Sequence, residues 1–168
     1  HSWYRFVLSF PPHPVRHYLQ RFHATEKTIV LDPFAGTGTT LVEVKNQWLS
    51  ATGIEANPMA HFACSVKLDW SPRSEELCQS AMVIAEAAQN EITLLPDLAP
   101  TLPPEAAGLL FKDAISPRPL QKVLTLLRHI DYAYQQSGTH WSHSRLALAN
   151  AAVLASNLRF APEVSVAR

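Results

Sequence analysis

One segment, TIVLDPFAGTGTTLVEV at residues 28–44, constrains the fold of this chain more than any other part. The β-branched apolar run TIVLD predicts a strand that is buried on both faces. Two of the five glycines in the 168 residues then fall within three positions, at Gly36 and Gly38. Thr39 and Thr40 can cap a helix that follows at once. A strand, a tight glycine turn and a helix are the beginning of a βαβ unit.

The segment SATGIEA predicts the second strand of this unit, ending near Glu55. The helix before it carries Leu41, Val42, Val44 and Trp48, which we expect to pack on the strands. The crossover should be right-handed, as such connections nearly always are. A two-stranded parallel sheet is not stable alone, and doubly wound folds continue on both sides of a nucleotide site. The expected fold class is therefore α/β, as a partial Rossmann-like fold.

Most of the other elements read as helices that start at prolines. One is expected from Pro14 to about Phe22. Three others are expected to start at 57–58, 71–72 and 116–117. A short helix is expected to pass through 109–111, and a last helix is expected to span 146–158. No further strand is predicted. We therefore divide the chain into an N-terminal helix plus cofactor-binding βαβ unit, residues 1–56, and a mostly α-helical insertion, residues 57–168, that packs on or within the α/β domain.

The composition is that of an ordered soluble domain, with 47% hydrophobic and 17% charged residues. Fourteen basic residues balance fourteen acidic ones, so the net charge indicates neither nucleic acid nor membrane as a partner. No apolar run is long enough to cross a bilayer. The only two cysteines, Cys64 and Cys78, have no metal-ligand spacing, so we expect reduced, buried thiols in a cytoplasmic protein and no metal site.

The glycine turn and the helix after it can hold a nucleotide-like ligand against the main chain. A Walker A loop is excluded, because the turn contains no lysine. A dinucleotide fingerprint fits poorly, because Leu41 stands where the third glycine is required. The remaining candidate is S-adenosylmethionine (AdoMet), with its methionine part along the loop. An acid at the tip of the second strand, Glu55, would then hold the ribose hydroxyls.

The string DPFAGTGTTLVEV…ATGIEANPMA closely resembles motifs I and II of the DNA methyltransferases that methylate adenine N6 or cytosine N4. The resemblance implies an AdoMet-methyltransferase fold, with AdoMet as cofactor and Glu55 on the ribose hydroxyls. It places Asn57, Pro58 and Met59 near the adenine. It also implies that the first motif lines the methionine side of AdoMet through Asp32, Pro33, Phe34, Ala35, Gly36, Thr37, Gly38, Thr39 and Thr40. The segment FPPHPVRHYL matches, more weakly, a helix that touches the cofactor in this family.

The same family positions the target amine with a second motif, [DNS]-P-P-[YFW], on a base flipped out of the duplex. The two Pro-Pro pairs, FPPH and LPPE, do not fit this motif and read as helix starts. We therefore expect the motif beyond Arg168, no catalytic residue in this chain, and no activity of the chain alone. DNA would be the partner of the longer protein, and a C-terminal part or a second copy would complete the sheet.

Two alternatives stay open at this point. Guanine-N2 RNA methyltransferases carry a similar first motif, so the substrate could be RNA instead of DNA. A non-catalytic AdoMet-binding or interaction module would also retain the glycine loop. The helical region, which is loosely similar to an insert found after motif II in a subgroup of site-specific DNA methylases, could recognise the target or simply cover the sheet.

Overall fold

The computed structural model of the chain describes residues 1, 3–4, 9–96, 101–138, 140–160 and 164–166. It forms two compact units, His1–Ser71 and Pro72–Arg168, called unit 1 and unit 2 below. This division groups residues by contact and falls after Ser71. The predicted division after residue 56 separated a cofactor-binding part from a helical part, and that assignment of roles stays a prediction.

Unit 1 contains the βαβ arrangement expected from the sequence. Its elements are α1 (His13–Arg21), β1 (Ile29–Asp32), α2 (Thr39–Asn46), β2 (Ser50–Gly53) and α3 (Pro58–Leu68). The strands β1 and β2 pair in parallel, in a register that runs from Ile29 opposite Ser50 to Asp32 opposite Gly53. The α/β character of this unit is therefore confirmed, with a small sheet of two strands.

Helix α2 packs against one face of the sheet, and its close approach explains a glycine in β2. A Cβ on Gly53 would lie 2.8 Å from both methyl groups of Leu41 and 2.9 Å from the Cβ of Ala35. Ala35 and Leu41 form a buried cluster with Cys64 of α3, and Val44 is fully buried as well. The core of unit 1 thus lies between the sheet, α2 and α3.

The prediction that β1 is buried on both faces is wrong in this structure. Ile29 is 74% exposed and Leu31 is 62% exposed, whereas Val30 and Asp32 are half-buried. Side chains alternate between the two faces of a strand. Within the described chain, α2 covers only the other face of this sheet, so the two apolar side chains remain at the surface.

Trp48, which was expected on the helix before β2, lies beyond the end of α2. After α2, Trp48 N donates to Lys45 O at 3.0 Å and Leu49 N donates to Val44 O at 3.1 Å, which is the Schellman pattern. Trp48 takes the left-handed position of this motif, with φ 59°, and its side chain is 88% exposed instead of packing on the strands. Trp70 lies two residues after α3, and the centroid of its ring is 4.7 Å from Lys45 Nζ.

The helix starts follow the prolines, with small shifts. Pro12 is the N-cap of α1, and Pro103 is the N-cap of a short helix, so both Pro-Pro pairs begin helices as predicted. The N-cap of α2 is Gly38, so Thr39 and Thr40 are its first two residues and not its cap.

Unit 2 is mainly helical. Its elements are α4 (Ser74–Leu94), α5 (Pro104–Leu109), α6 (Pro117–Ser137), α7 (Trp141–Ala155), β3 (Leu158–Phe160) and β4 (Val164–Val166). Helices α4, α6 and α7 pack together around Ile84, Ile130 and Leu148. No helix within the described ranges is long and apolar enough to cross a membrane.

The end of unit 2 differs from the prediction. The strands β3 and β4 pair antiparallel, so the expectation of no further strand is wrong. Helix α7 ends at Ala155 because the Ser156 hydroxyl donates to Val153 O at 2.8 Å and accepts from Leu158 N at 3.3 Å. Helix α7 also begins earlier than expected, at Trp141. Helix α4 begins later, at Ser74, and α5 ends at Leu109 instead of passing through 109–111.

Candidate cofactor site

The loop between β1 and α2 is joined to the end of β2 by main-chain hydrogen bonds. Ile54 N donates to Asp32 O at 2.9 Å, and Ala35 N donates to Ile54 O at 2.9 Å. Asp32 Oδ1 accepts from Phe34 N at 3.1 Å and closes an Asx turn. The loop therefore forms an ordered turn at the carboxyl ends of two adjacent parallel strands, which is where ligands bind in open α/β sheets.

Both glycines of the loop adopt the left-handed backbone that favours glycine, with φ 55° at Gly36 and 86° at Gly38. Their surroundings differ. Nothing lies within 4 Å of a Cβ built on Gly36, whereas a Cβ on Gly38 would lie 2.6 Å from Cys64 Sγ. The space that a side chain at Gly38 would occupy is thus filled by Cys64 of helix α3. Only Gly36 leaves open space beside the main chain.

Glu55 lies two residues after β2 and reaches back to the loop. Its Oε2 accepts from Gly36 N at 2.7 Å, and its Oε1 accepts from Asn57 N at 2.7 Å. The structure therefore brings the predicted acid into direct contact with the glycine turn. An ionised carboxylate has about four acceptor positions, so each oxygen can accept a further hydrogen bond from a ligand hydroxyl.

Asn57 caps α3, as its position before Pro58 indicates. Its Oδ1 accepts hydrogen bonds from Met59 N and Ala60 N, both at 3.0 Å. This cap fixes the turn between Glu55 and α3. The predicted position of 57–59 near the adenine of a cofactor stays a prediction.

Burial divides the predicted loop residues into exposed, half-buried and buried groups. The half-buried ones are Asp32, Gly36 and Thr40. Pro33 and Phe34 point to solvent, and Phe34 is 86% exposed. Ala35, Thr37 and Thr39 are buried. The exposed group is free to contact a ligand or a partner, whereas the buried group joins the loop to the rest of unit 1.

A cavity of about 470 Å³ opens beside the buried side of the loop. This volume lies within the range of about 300–1,000 Å³ that is usual for small-molecule sites. Thr37 and Thr39 line it from the loop, and Pro11 and Pro12 line it from the segment before α1. The segment FPPHPVRHYL, which the resemblance assigned to cofactor contact, thus contributes directly to a cavity at the glycine loop.

Helix α1 is held in place beside this cavity by a buried carboxylate on α2. Glu43 is only 2% exposed. Its Oε2 accepts from Arg16 Nη1 at 3.1 Å, and its Oε1 lies 2.6 Å from His1 Nε2. Because leaving this charge unpaired would be strongly unfavourable, Glu43 ties the N-terminal segment to the helix that begins at the loop.

Two residues of α3, Cys64 and Lys67, also lie at the glycine loop, although neither was assigned a role there from the sequence. Lys67 lines the cavity and donates from Nζ to Thr37 O at 3.1 Å. Burial raises the pKa of the Cys64 thiol; the Lys67 charge lowers it, and the charges of Asp32 and Glu55 raise it. Cys64 therefore lies within electrostatic reach of all three. A one-turn spacing marks Cys64 and Lys67 as sharing a helix face, but only the fold shows what that face contacts.

The two cysteines are free, as expected, but only Cys64 is buried; Cys78 is exposed. Within the described ranges, no group of three His, Cys, Asp or Glu side chains could hold a metal ion.

Comparison with known proteins gives two relatives. The chain is 31% identical over 93 residues to Type II methyltransferase M.BsoBI of Geobacillus stearothermophilus. The matched region covers 55% of this chain and 18% of that protein. The chain is also 34% identical over 68 residues to Type II methyltransferase M.MjaII of Methanocaldococcus jannaschii. This second matched region covers 40% of the chain and 13% of that protein. The resemblance to DNA methyltransferases is confirmed.

These DNA methyltransferase relatives are much longer than the region they share with this chain, which spans less than a fifth of either one. No protein-family model matches the chain. No solved structure matches it.

Proposed function

We propose that this chain is the AdoMet-binding part of a DNA methyltransferase that methylates an exocyclic amine of adenine or cytosine. One observation carries the proposal. A left-handed glycine turn and an acid that hydrogen-bonds to it, Glu55, meet at the carboxyl ends of two adjacent parallel strands. The similarity to two type II methyltransferases supports the same conclusion. The surrounding fold is proposed to be a partial Rossmann-like sheet.

The residues present fit AdoMet. Helix α2 begins at the loop, and the first N–H groups of a helix have no partner within the helix, so they can bind the polar end of a ligand. Asp32 uses Oδ1 within its own turn, which leaves Oδ2 for a ligand donor. Glu55 retains acceptor positions for the ribose hydroxyls. When bound, AdoMet supplies an activated methyl group, so the protein's contribution is chiefly to orient it.

The group that positions the acceptor amine is not among these residues. The 168 residues contain no [DNS]-P-P-[YFW] motif. Both Pro-Pro pairs are used to begin helices α1 and α5. We propose that a longer protein supplies this motif and that the chain alone transfers no methyl group to DNA. The exposed apolar side chains of β1, Ile29 and Leu31, support the view that further structure covers this face of the sheet.

Isothermal titration calorimetry with AdoMet tests the cofactor assignment. Asp32→Ala and Glu55→Ala should each weaken binding about tenfold to a hundredfold, the usual effect of losing a charge-assisted hydrogen bond. Glu105→Ala is the matched control, because this acid is exposed on α5 of unit 2. Unchanged AdoMet binding by both site variants would contradict the assignment.

Methyl-transfer assays with the longer protein test the substrate class. Transfer from labelled AdoMet to duplex DNA, with the methyl group on an exocyclic amine, is the expected result. Transfer to tRNA alone would favour an RNA methyltransferase. AdoMet binding without transfer to either nucleic acid would favour a non-catalytic module.

A further inference from the structure

Lys67 places a positive charge in the cavity beside the glycine loop. The other described residues that line this cavity belong to the loop and to the N-terminal segment, and none of them is an acid. Lys67 lies in the last turn of α3, one residue before the helix ends, and is half-buried. Its ammonium lines the cavity between the glycine loop and the segment before α1, together with Ser9, Thr37 and Thr39. An ammonium has three N–H donors. Within the described residues, Lys67 uses one of them, on Thr37 O at 3.1 Å.

We propose that Lys67 binds the carboxylate of the methionine part of AdoMet and so makes the site selective for a ligand with that group. This inference rests on the proposed function and names a binding residue beyond the two sequence motifs. Two N–H groups of Lys67 face no acceptor in the described protein and are available to an anion. The hydroxyls of Thr37 and Thr39, which line the same cavity, can complete the recognition of a carboxylate.

The arrangement of charge supports this assignment. Asp32, Glu55 and Lys67 all lie within electrostatic reach of the Cys64 thiol, so two carboxylates and one ammonium surround the loop. AdoMet carries the opposite set, a sulfonium and an ammonium together with one carboxylate. Burial lowers the pKa of the Lys67 ammonium, and the neighbouring Cys64 raises it. The charged form is thus poorly solvated in the free protein, and an anionic partner would stabilise it.

A role in support of the loop alone is the competing explanation, because Lys67 also holds Thr37 O. The two roles differ in one respect. Loss of loop support weakens the binding of every ligand that contacts the loop, whereas loss of a carboxylate partner weakens the binding only of ligands that have a carboxylate. Decarboxylated AdoMet, which keeps the adenosine and the sulfonium, separates them.

The experiment is a calorimetric comparison of AdoMet and decarboxylated AdoMet on the wild-type protein and on Lys67→Met. The wild type should bind AdoMet about tenfold to a hundredfold more tightly than the decarboxylated ligand. Lys67→Met should lose this preference, with little change for the decarboxylated ligand. Lys67→Arg, which keeps the charge, should retain most of it.

Lys45→Met is the matched control. Lys45 also donates to a main-chain oxygen of unit 1, Leu68 O at 2.6 Å, and it lies over the Trp70 ring. Its loss should leave the preference for AdoMet unchanged. The inference is overturned if Lys67→Met weakens the binding of both ligands equally. It is also overturned if the wild-type protein binds both ligands with equal affinity, and this second result does not depend on the folding of any variant. A wild type that binds neither ligand overturns the proposed function and this inference together.

Discussion

Replacement of Gly38 by alanine tests how closely α3 lies against the glycine loop. A Cβ at this position would stand 2.6 Å from Cys64 Sγ and 3.3 Å from Cys64 Cβ, distances that force a neighbour to move. Overpacking of this kind usually costs about 1–3 kcal/mol. The backbone at φ 86° adds about 1–2 kcal/mol for a residue with a Cβ. Gly38→Ala should therefore lower the free energy of unfolding by roughly 2–5 kcal/mol in total.

Gly36→Ala is the matched control, because it shares the left-handed backbone without the contact. Nothing lies within 4 Å of its Cβ. Its expected loss is only the conformational part, about 1–2 kcal/mol. Urea unfolding of both variants, followed by circular dichroism, gives the two free energies, and their difference isolates the steric part.

Cys64→Ala in the Gly38→Ala background makes the test specific to the contact. Removing Sγ deletes the nearest atom, so the double variant should be more stable than the sum of the single losses implies. The expected coupling is about 0.5–3 kcal/mol, as for residues in direct contact. Equal losses for Gly36→Ala and Gly38→Ala, or strictly additive effects of Gly38→Ala and Cys64→Ala, would refute the close packing of α3 on the loop.

Three further changes test local features. Asn57→Ala removes the cap of α3 and should lower the free energy of unfolding by about 1 kcal/mol in urea titrations. Trp48→Gly relieves a left-handed backbone at an exposed site and should raise the same quantity by about 1 kcal/mol. Burial raises the pKa of Glu91, but hydrogen bonds and charges from His129 and Arg128 lower it by more. The net pKa therefore lies below the usual 4.5. The stability from this contact is present above pH 4.5 and is lost as the pH falls through the lowered pKa. In thermal melts between about pH 3 and 6, the advantage of wild type over Glu91→Gln should therefore shrink at the acid end.

The βαβ unit could be predicted from the sequence because its signals are local. A β-branched run, two glycines and the Asn57-Pro58 start each act within a few residues, and the structure places each of them where it was expected. The exposure of Ile29 and Leu31 could not be predicted in this way. An apolar run indicates that a strand can be buried, whereas its actual burial depends on what covers the sheet.

Helix ends and very short strands were the least predictable features. Trp48 occupies the position where a Schellman motif usually has glycine, so its apolar side chain suggested a continuing helix instead of an end. The strands β3 and β4 have three residues each, too few for a two-residue period to stand out from the alanine-rich run before them. In both places a tertiary or hydrogen-bonding context outweighed the local pattern.

The two loop glycines are explained by different neighbours, and this changes which residues define the candidate site. Gly38 is required because α3 fills the space beside it with Cys64, whereas Gly36 faces open space and binds Glu55 through its N–H. Lys67 of the same helix holds the loop at Thr37 O. The geometry of the glycine turn therefore depends on α3 as well as on the two strands. A variant on the loop-facing side of α3 should alter ligand binding as strongly as a variant of the first motif, although the motif alone identifies the resemblance.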